Sequence, residues 1–191
     1  MHRSLVTAVA LIFTLTLAAY SQDGPKDAAV LIIRHAEDGA KDPGLTPDGR
    51  ERAEAYKDYF LKFTVDSKRL KPNVVFAAKD SKKSHRPRLT VEPFAKAEKL
   101  PIDTRFGNND STQLAAAVRA TGQGKVVLIC WRHPYVPALL RALGANPEDL
   151  LPRGKWPGAT FDWVILLSYD QQGRLANSRR INEHLMPSDS Q

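Results

Sequence analysis

Two apolar runs in this chain end in the same dipeptide. Val30-Leu31-Ile32-Ile33 leads into Arg34-His35, and Val127-Leu128-Ile129-Cys130-Trp131 leads into Arg132-His133. Such runs read as strands covered on both faces, and in open parallel sheets ligands sit beyond the carboxyl ends of the strands. Both histidines therefore fall where a site should be, roughly a hundred residues apart. A lone histidine at a strand end is more often structural. Two of them, each at the C-terminus of an apolar strand, point to function. Imidazole can serve as nucleophile or proton carrier, and the charged, planar arginine fork matches phosphate oxygens.

The elements that would position them alternate between strand and helix patterns. Residues 28–33 form the first predicted strand. Thr46-Pro47-Asp48 then reads as an N-cap with proline at the first helical position and an acid in the first turn. Ala53, Tyr56, Phe60 and Phe63 follow at helical spacing. A second strand is predicted over 73–78, and a helix over 87–100 with Pro93 as a kink or break. A short strand over 102–106 leads to an alanine-rich helix over 112–120, which Thr121-Gly122-Gln123-Gly124 would end. Residues 125–131 give the strongest strand signal. Val136, Leu139, Leu140 and Leu143 recur at helical spacing, and Gly144 closes that helix. Residues 145–158, rich in proline and glycine, read as a loop. A strand over 161–169 turns at Asp170-Gln171-Gln172-Gly173 into another over 174–181. This alternation predicts an α/β sandwich around a mostly parallel sheet, with no linker or repeat to divide it.

Composition narrows the function. The chain has 191 residues, 42% hydrophobic and 26% charged, which is the balance of one soluble globular domain. A formal charge of +7 favours an anionic partner. Nucleic acid fits poorly, because the basic residues are scattered and no aromatics interleave with them. At the N-terminus, His2 and Arg3 precede an apolar stretch over 5–20 that turns polar at Ser21-Gln22-Asp23-Gly24-Pro25. That is the layout of a secretory signal over 1–21, with small residues at Ala19 and Ser21. The stretch is short of the ~20 residues a spanning helix needs. A cleaved leader and a periplasmic or secreted protein, not stably inserted in a membrane, are expected. The single cysteine, Cys130, excludes an internal disulfide and reads as a buried hydrophobe.

Four segments then fall in a familiar order. Arg34-His35-Ala36-Glu37 resembles the opening motif of the histidine phosphatase superfamily, in its phosphoglycerate mutase-like branch. Gly44-Leu45-Thr46-Pro47-Asp48-Gly49 resembles the turn that follows that motif. Ser84-His85-Arg86-Pro87-Arg88-Leu89-Thr90-Val91-Glu92-Pro93 resembles the arginine-bearing segment after the second strand, and His133 falls where the family places its second histidine. The resemblance covers about 28–185, nearly all of the mature chain. It implies a three-layer α/β/α sandwich and a phosphoryl group carried on His35. Arg34, Arg86 and His133 would grip the phosphoryl oxygens, and no metal or other cofactor is called for. The phosphohistidine would then be hydrolysed by water, splitting one hard step into two.

The general acid is the open position. Asp110 lies 24 residues after Arg86, about where branch members carry an acid, but Asn109-Asp110-Ser111 also suits a helix cap. The chain departs from the family pattern at Ala36, in the basic stretch over 79–84, and at Trp131-Arg132-His133-Pro134. Arg132 reads either as one more phosphate contact or as a solvent-facing charge. Competing chemistries lack their signatures. Val136, not arginine, stands six positions after Cys130, and neither GxxxxGK[ST] nor GxSxG occurs. Two functions follow: an exported phosphatase acting on a small anionic phosphomonoester or a phosphohistidine protein, or a catalytically silent relative binding phosphorylated glycan or lipopolysaccharide.

Overall fold

Strand β1 (Ala28–Arg34) is buried at every position, as its apolar run requires, and it lies at the middle of the sheet. The computed structural model describes residues 24–39 and 43–189; the predicted leader lies outside them. Helix α1 (Pro47–Lys62) follows, then a two-stranded hairpin of β2 (Thr64–Val65) and β3 (Lys68–Arg69), then β4 (Val74–Ala77) and α2 (Arg86–Ala97). Strand β5 (Ile102–Asp103), α3 (Ser111–Thr121), β6 (Val126–Trp131), α4 (Val136–Ala142) and α5 (Pro147–Leu150) come next. Strands β7 (Trp163–Tyr169) and β8 (Leu175–Asn182) complete the described chain. The main sheet has the order β5-β4-β6-β1-β7-β8. Strands β5, β4, β6 and β1 run parallel, and β7 is antiparallel to both of its neighbours.

Alternate residues of the sheet feed two separate cores, as the two-residue period of a strand dictates. Val30, Ile32, Val127 and Ile129 pack with Leu114, Val118, Leu139 and Leu140 from α3 and α4. Leu31, Ile33, Leu128 and Cys130 pack on the other face with Tyr56, Phe60, Val91 and Phe94 from α1 and α2. The result is the three-layer α/β/α sandwich that the resemblance implied.

Three local readings change. Residues 64–69 form a tight hairpin whose two central residues, Asp66 and Ser67, have φ of 49° and 64°. That turn usually carries glycine or asparagine, so Asp66 and Ser67 do not announce it. Residues 145–158 hold α5 and a 3-10 turn at Pro152–Gly154, not a plain loop; Asn146 caps α5 by accepting from Glu148 N. Pro93 does not break α2, which continues to Ala97.

Candidate active site

β1 and β6 are adjacent and parallel, with Arg34 opposite Trp131. The two Arg-His pairs therefore leave the sheet side by side, and His35 N donates to Trp131 O at 3.1 Å. The His35 and His133 rings lie edge-on with centroids 6.4 Å apart. His35 is 5% exposed. Its Nδ1 lies 2.9 Å from Ala36 O, an oxygen that can only accept. Nδ1 therefore carries the proton, and Nε2 keeps its lone pair. Burial lowers the His35 pKa to about 4; Arg34 and Arg86 add to the fall, while the Ala36 carbonyl and Asp38 oppose it. At neutral pH the imidazole is uncharged, the state in which it can attack.

The other segments act through backbone geometry. Thr46 caps α1 by accepting from Gly49 N at 3.1 Å, while its own N–H donates to Glu37 O. A Cβ on Gly49 would stand 2.3 Å from that same Glu37 oxygen, so only glycine lets α1 approach the strand exit this closely. Thr90 Oγ1 accepts from Ala36 N at 2.9 Å and donates to Arg86 O at 2.8 Å. One buried hydroxyl thus ties the residue after His35 to the start of α2.

Each arginine has a partly structural duty. Arg34, 1% exposed, donates from Nη1 to Gly158 O at 2.7 Å and to Thr160 O at 3.0 Å. Its guanidinium lies 3.7 Å from the Phe161 ring centroid, a cation–π contact. Burial lowers its pKa to about 10, still charged at neutral pH. Its Nε is buried with no partner among the described residues. Arg86, at the first turn of α2, donates to Gly44 O and Gly39 O and pairs through Nη1 with Asp38 Oδ2 at 2.9 Å. Burial, with Arg34 nearby, also lowers the His133 pKa, and its buried Nδ1 has no partner among the described residues.

Asp110 goes elsewhere. It begins α3, but its carboxylate accepts from Gly107 N at 2.8 Å and makes no side-chain cap bond to the helix. The cleft that opens at His35 is lined by Lys79, Lys83, Ser84, Asn108 and Arg132 among others, and Asp110 is not part of it. Arg132 neither faces solvent nor is left free for phosphate. Half-buried, it donates to Asn108 Oδ1 at 2.6 Å, Lys79 O at 3.0 Å and Ser84 O at 3.3 Å, stitching two cleft walls together.

The residue that sequence reasoning missed is Asp38. Its carboxylate touches Arg86, stands 3.7 Å from Arg34 Nη2 and 4.0 Å from His35 Nδ1. Among the described residues it is the one carboxylate that reaches Arg34, His35 and Arg86 together. The only advance signal was its position three residues after His35, in a loop whose path the sequence does not reveal.

No family profile matches this chain, and no curated protein sequence does. Solved structures do match in fold. A mycobacterial glucosyl-3-phosphoglycerate phosphatase superposes with a TM-score of 0.53 at 13% identity, over 83% of this chain and 99% of that one. A phosphoglycerate mutase from Plasmodium falciparum gives 0.52 at 16% identity, over 85% and 96%. The chain has the phosphoglycerate mutase-like fold. At these identities the likeness is one of fold, and the reaction has to be argued from the site.

Proposed function

We propose that this protein is an exported histidine phosphatase, which moves the phosphoryl group of a phosphomonoester or a phosphohistidine protein first to His35 Nε2 and then to water. The observation that carries this reading is the His35 tautomer. Nδ1–H is fixed on Ala36 O, Nε2 is unprotonated, and two arginines and a second histidine surround the ring. The P–O bond of the ester breaks as the N–P bond forms, and the leaving oxygen takes a proton. Water then attacks phosphorus and returns the electron pair to Nε2. Arg34, through Nε and Nη2, Arg86 and His133 are the groups to hold the oxygens as charge shifts. Export rests on residues 1–21, and no helix among the described residues is long and apolar enough to cross a membrane.

Asp38 has two duties in this scheme. Before substrate arrives, its carboxylate orients Arg86 and faces Arg34. Once phosphorus is bonded to Nε2, the ring carries positive charge at Nδ1–H, and Asp38 together with the Ala36 carbonyl stabilises it. Asp38→Asn should therefore move two quantities in opposite senses. Inorganic phosphate should bind about threefold more tightly, because a like charge is gone. The kcat for p-nitrophenyl phosphate should fall about tenfold or more as the phosphohistidine loses its counter-charge. Inhibition and turnover measurements on the variant check both, and parallel movement would contradict the assignment.

Among the described residues, the only carboxylate lining the cleft is Asp80, and its Oδ2 is already bound to Arg88 Nε at 2.8 Å. With Asp110 engaged at Gly107, leaving groups that need little protonation, such as the nitrogen of a phosphohistidine, are the best suited. The same observation favours, as the second reading, a silent relative that binds phosphorylated glycan or lipopolysaccharide without turnover. The pH profile separates the two. The acid limb of kcat/KM should lie near pH 4, where His35 takes a proton. A limb near the ordinary histidine value would remove His35 from the nucleophile role, and no turnover at any pH would favour the silent binder.

A further inference from the structure

The Nδ1 proton of His35 rests on one carbonyl, and the protein holds the peptide carrying that carbonyl from behind. Thr90 Oγ1 pins Ala36 N at 2.9 Å, while Thr46 N and Thr46 Oγ1 pin Glu37 O at 3.1 Å and 3.3 Å. The planar peptide between these two anchors carries Ala36 O, which faces His35 Nδ1. It can still turn about the Cα atoms of Ala36 and Glu37. The Glu37 side chain is the lever on it. Arg52 Nε donates to both Glu37 carboxylate oxygens, at 3.0 Å and 3.1 Å, and Nη2 donates to Oε1 at 2.7 Å.

Arg52 is itself held by a distant segment. Its Nη1 donates to Asp189 Oδ2 at 3.1 Å, and Nη2 donates to Asp189 Oδ1. Asp189 in turn closes the turn over 185–189, accepting from Leu185 N at 2.8 Å and Met186 N at 2.9 Å. A five-donor guanidinium fork can grip two carboxylates at once and fix their directions. Stability alone does not call for this arrangement, because apolar side chains of similar volume often serve as well as a buried ionic cluster. We propose that Arg52 is a positioning residue for His35. The strap Asp189–Arg52–Glu37 fixes the Ala36 carbonyl, and with it the proton at Nδ1. The effect on turnover rests on His35 being the phosphoryl acceptor, whereas the effect on the tautomer does not.

Long-range proton–nitrogen correlation spectra of the purified, nitrogen-15-labelled protein at neutral pH read the His35 tautomer with or without turnover. The wild type should show Nδ1–H alone. Asp189→Ala and Glu37→Ala cut the strap at opposite ends, and each should show a mixture with the Nε2–H form. Each should also lower kcat for p-nitrophenyl phosphate about tenfold. Inhibition by inorganic phosphate should stay within about twofold of wild type, since the carbonyls that anchor Arg34 and Arg86 belong to other residues. The double variant should lose no more than the larger single loss. Asp189→Asn keeps an acceptor for Arg52 and should recover kcat to within about threefold of wild type. Tyr56→Phe removes a bond to Glu183 in the same cluster without cutting the strap. It should lower Tm yet leave tautomer and kcat unchanged. A wild-type tautomer in both alanine variants, or an equal loss of kcat in Tyr56→Phe, would overturn the proposal. Wild-type turnover with unmoved tautomers sinks the strap alone; shifted tautomers in a protein that turns nothing over keep the strap and sink the phosphatase reading.

Discussion

His35→Ala is expected to lower phosphomonoester turnover by about 10⁴-fold or more while leaving phosphate binding measurable. The variant removes the one ring nitrogen, among the described residues, whose lone pair is directed by a fixed Nδ1–H bond to a carbonyl. Arg34, Arg86 and His133 stay in place, because their anchors are the carbonyls of Gly158 and Thr160, those of Gly39 and Gly44, and the 3-10 turn at His133–Tyr135. The phosphate grip therefore survives the loss of the nucleophile. Removing His35 also lifts a stability cost at low pH. Its folded pKa of about 4 lies below the ordinary histidine value of 6.5, so between those values the unfolded chain binds a proton that the folded one does not. Folding stability consequently rises with pH across that window, and the variant should lose this dependence. Steady-state kinetics and phosphate titration are the checks; undiminished turnover would remove His35 from the mechanism.

Arg52→Met should be the most destabilising single change near the site, by about 3–5 kcal/mol, because it breaks a buried ionic cluster by deleting one partner. Arg52 is 1% exposed. It donates to both carboxylate oxygens of Glu37, to Glu183 Oε2 at 3.3 Å and to Asp189. Three carboxylates from the His35 loop, the end of β8 and the C-terminal segment thus meet on one cation. Burial pushes Glu183 up to about 8, with Asp189 and Asp162 adding and Arg52 and Tyr56 opposing. Methionine would leave these clustered acids without their shared counter-ion. At this chain length the loss corresponds to a fall in Tm of about 10 °C. Arg52→Lys should recover little, since one ammonium cannot reproduce a fork that serves three acids. Thermal unfolding of both variants tests this, and a Tm within a degree or two of wild type would show the cluster to be dispensable.

The parts of the site that were legible in the sequence are those set by local rules. An apolar run buried on both faces can only be an interior strand, so β1 and β6 were visible, and with them the positions of His35 and His133. Thr46 and Pro47 announced the start of α1 because capping chemistry is local. What escaped depends on residues distant in sequence. Arg52 lies on an otherwise polar turn of α1 and reads as solvent-facing until Glu183 and Asp189 are seen folded against it. Arg132 looked like a phosphate ligand or a surface charge; its partners, Lys79, Ser84 and Asn108, come from two other loops. Asp110 had the sequence distance of an acid, but its carboxylate closes a turn with Gly107. Asp38 had no motif to mark it, because its role comes from meeting Arg34 and Arg86 at once.

The central claim is that phosphorus becomes bonded to His35. Brief reaction of the purified protein with an activated phosphomonoester, an acid-free quench and mass spectrometry of the peptide containing residues 28–39 test it most directly. The predicted result is an acid-labile phosphate on His35 that is absent from His35→Ala and accumulates less in Asp38→Asn. Turnover with no phosphate on His35, or phosphate on another residue, would contradict the account.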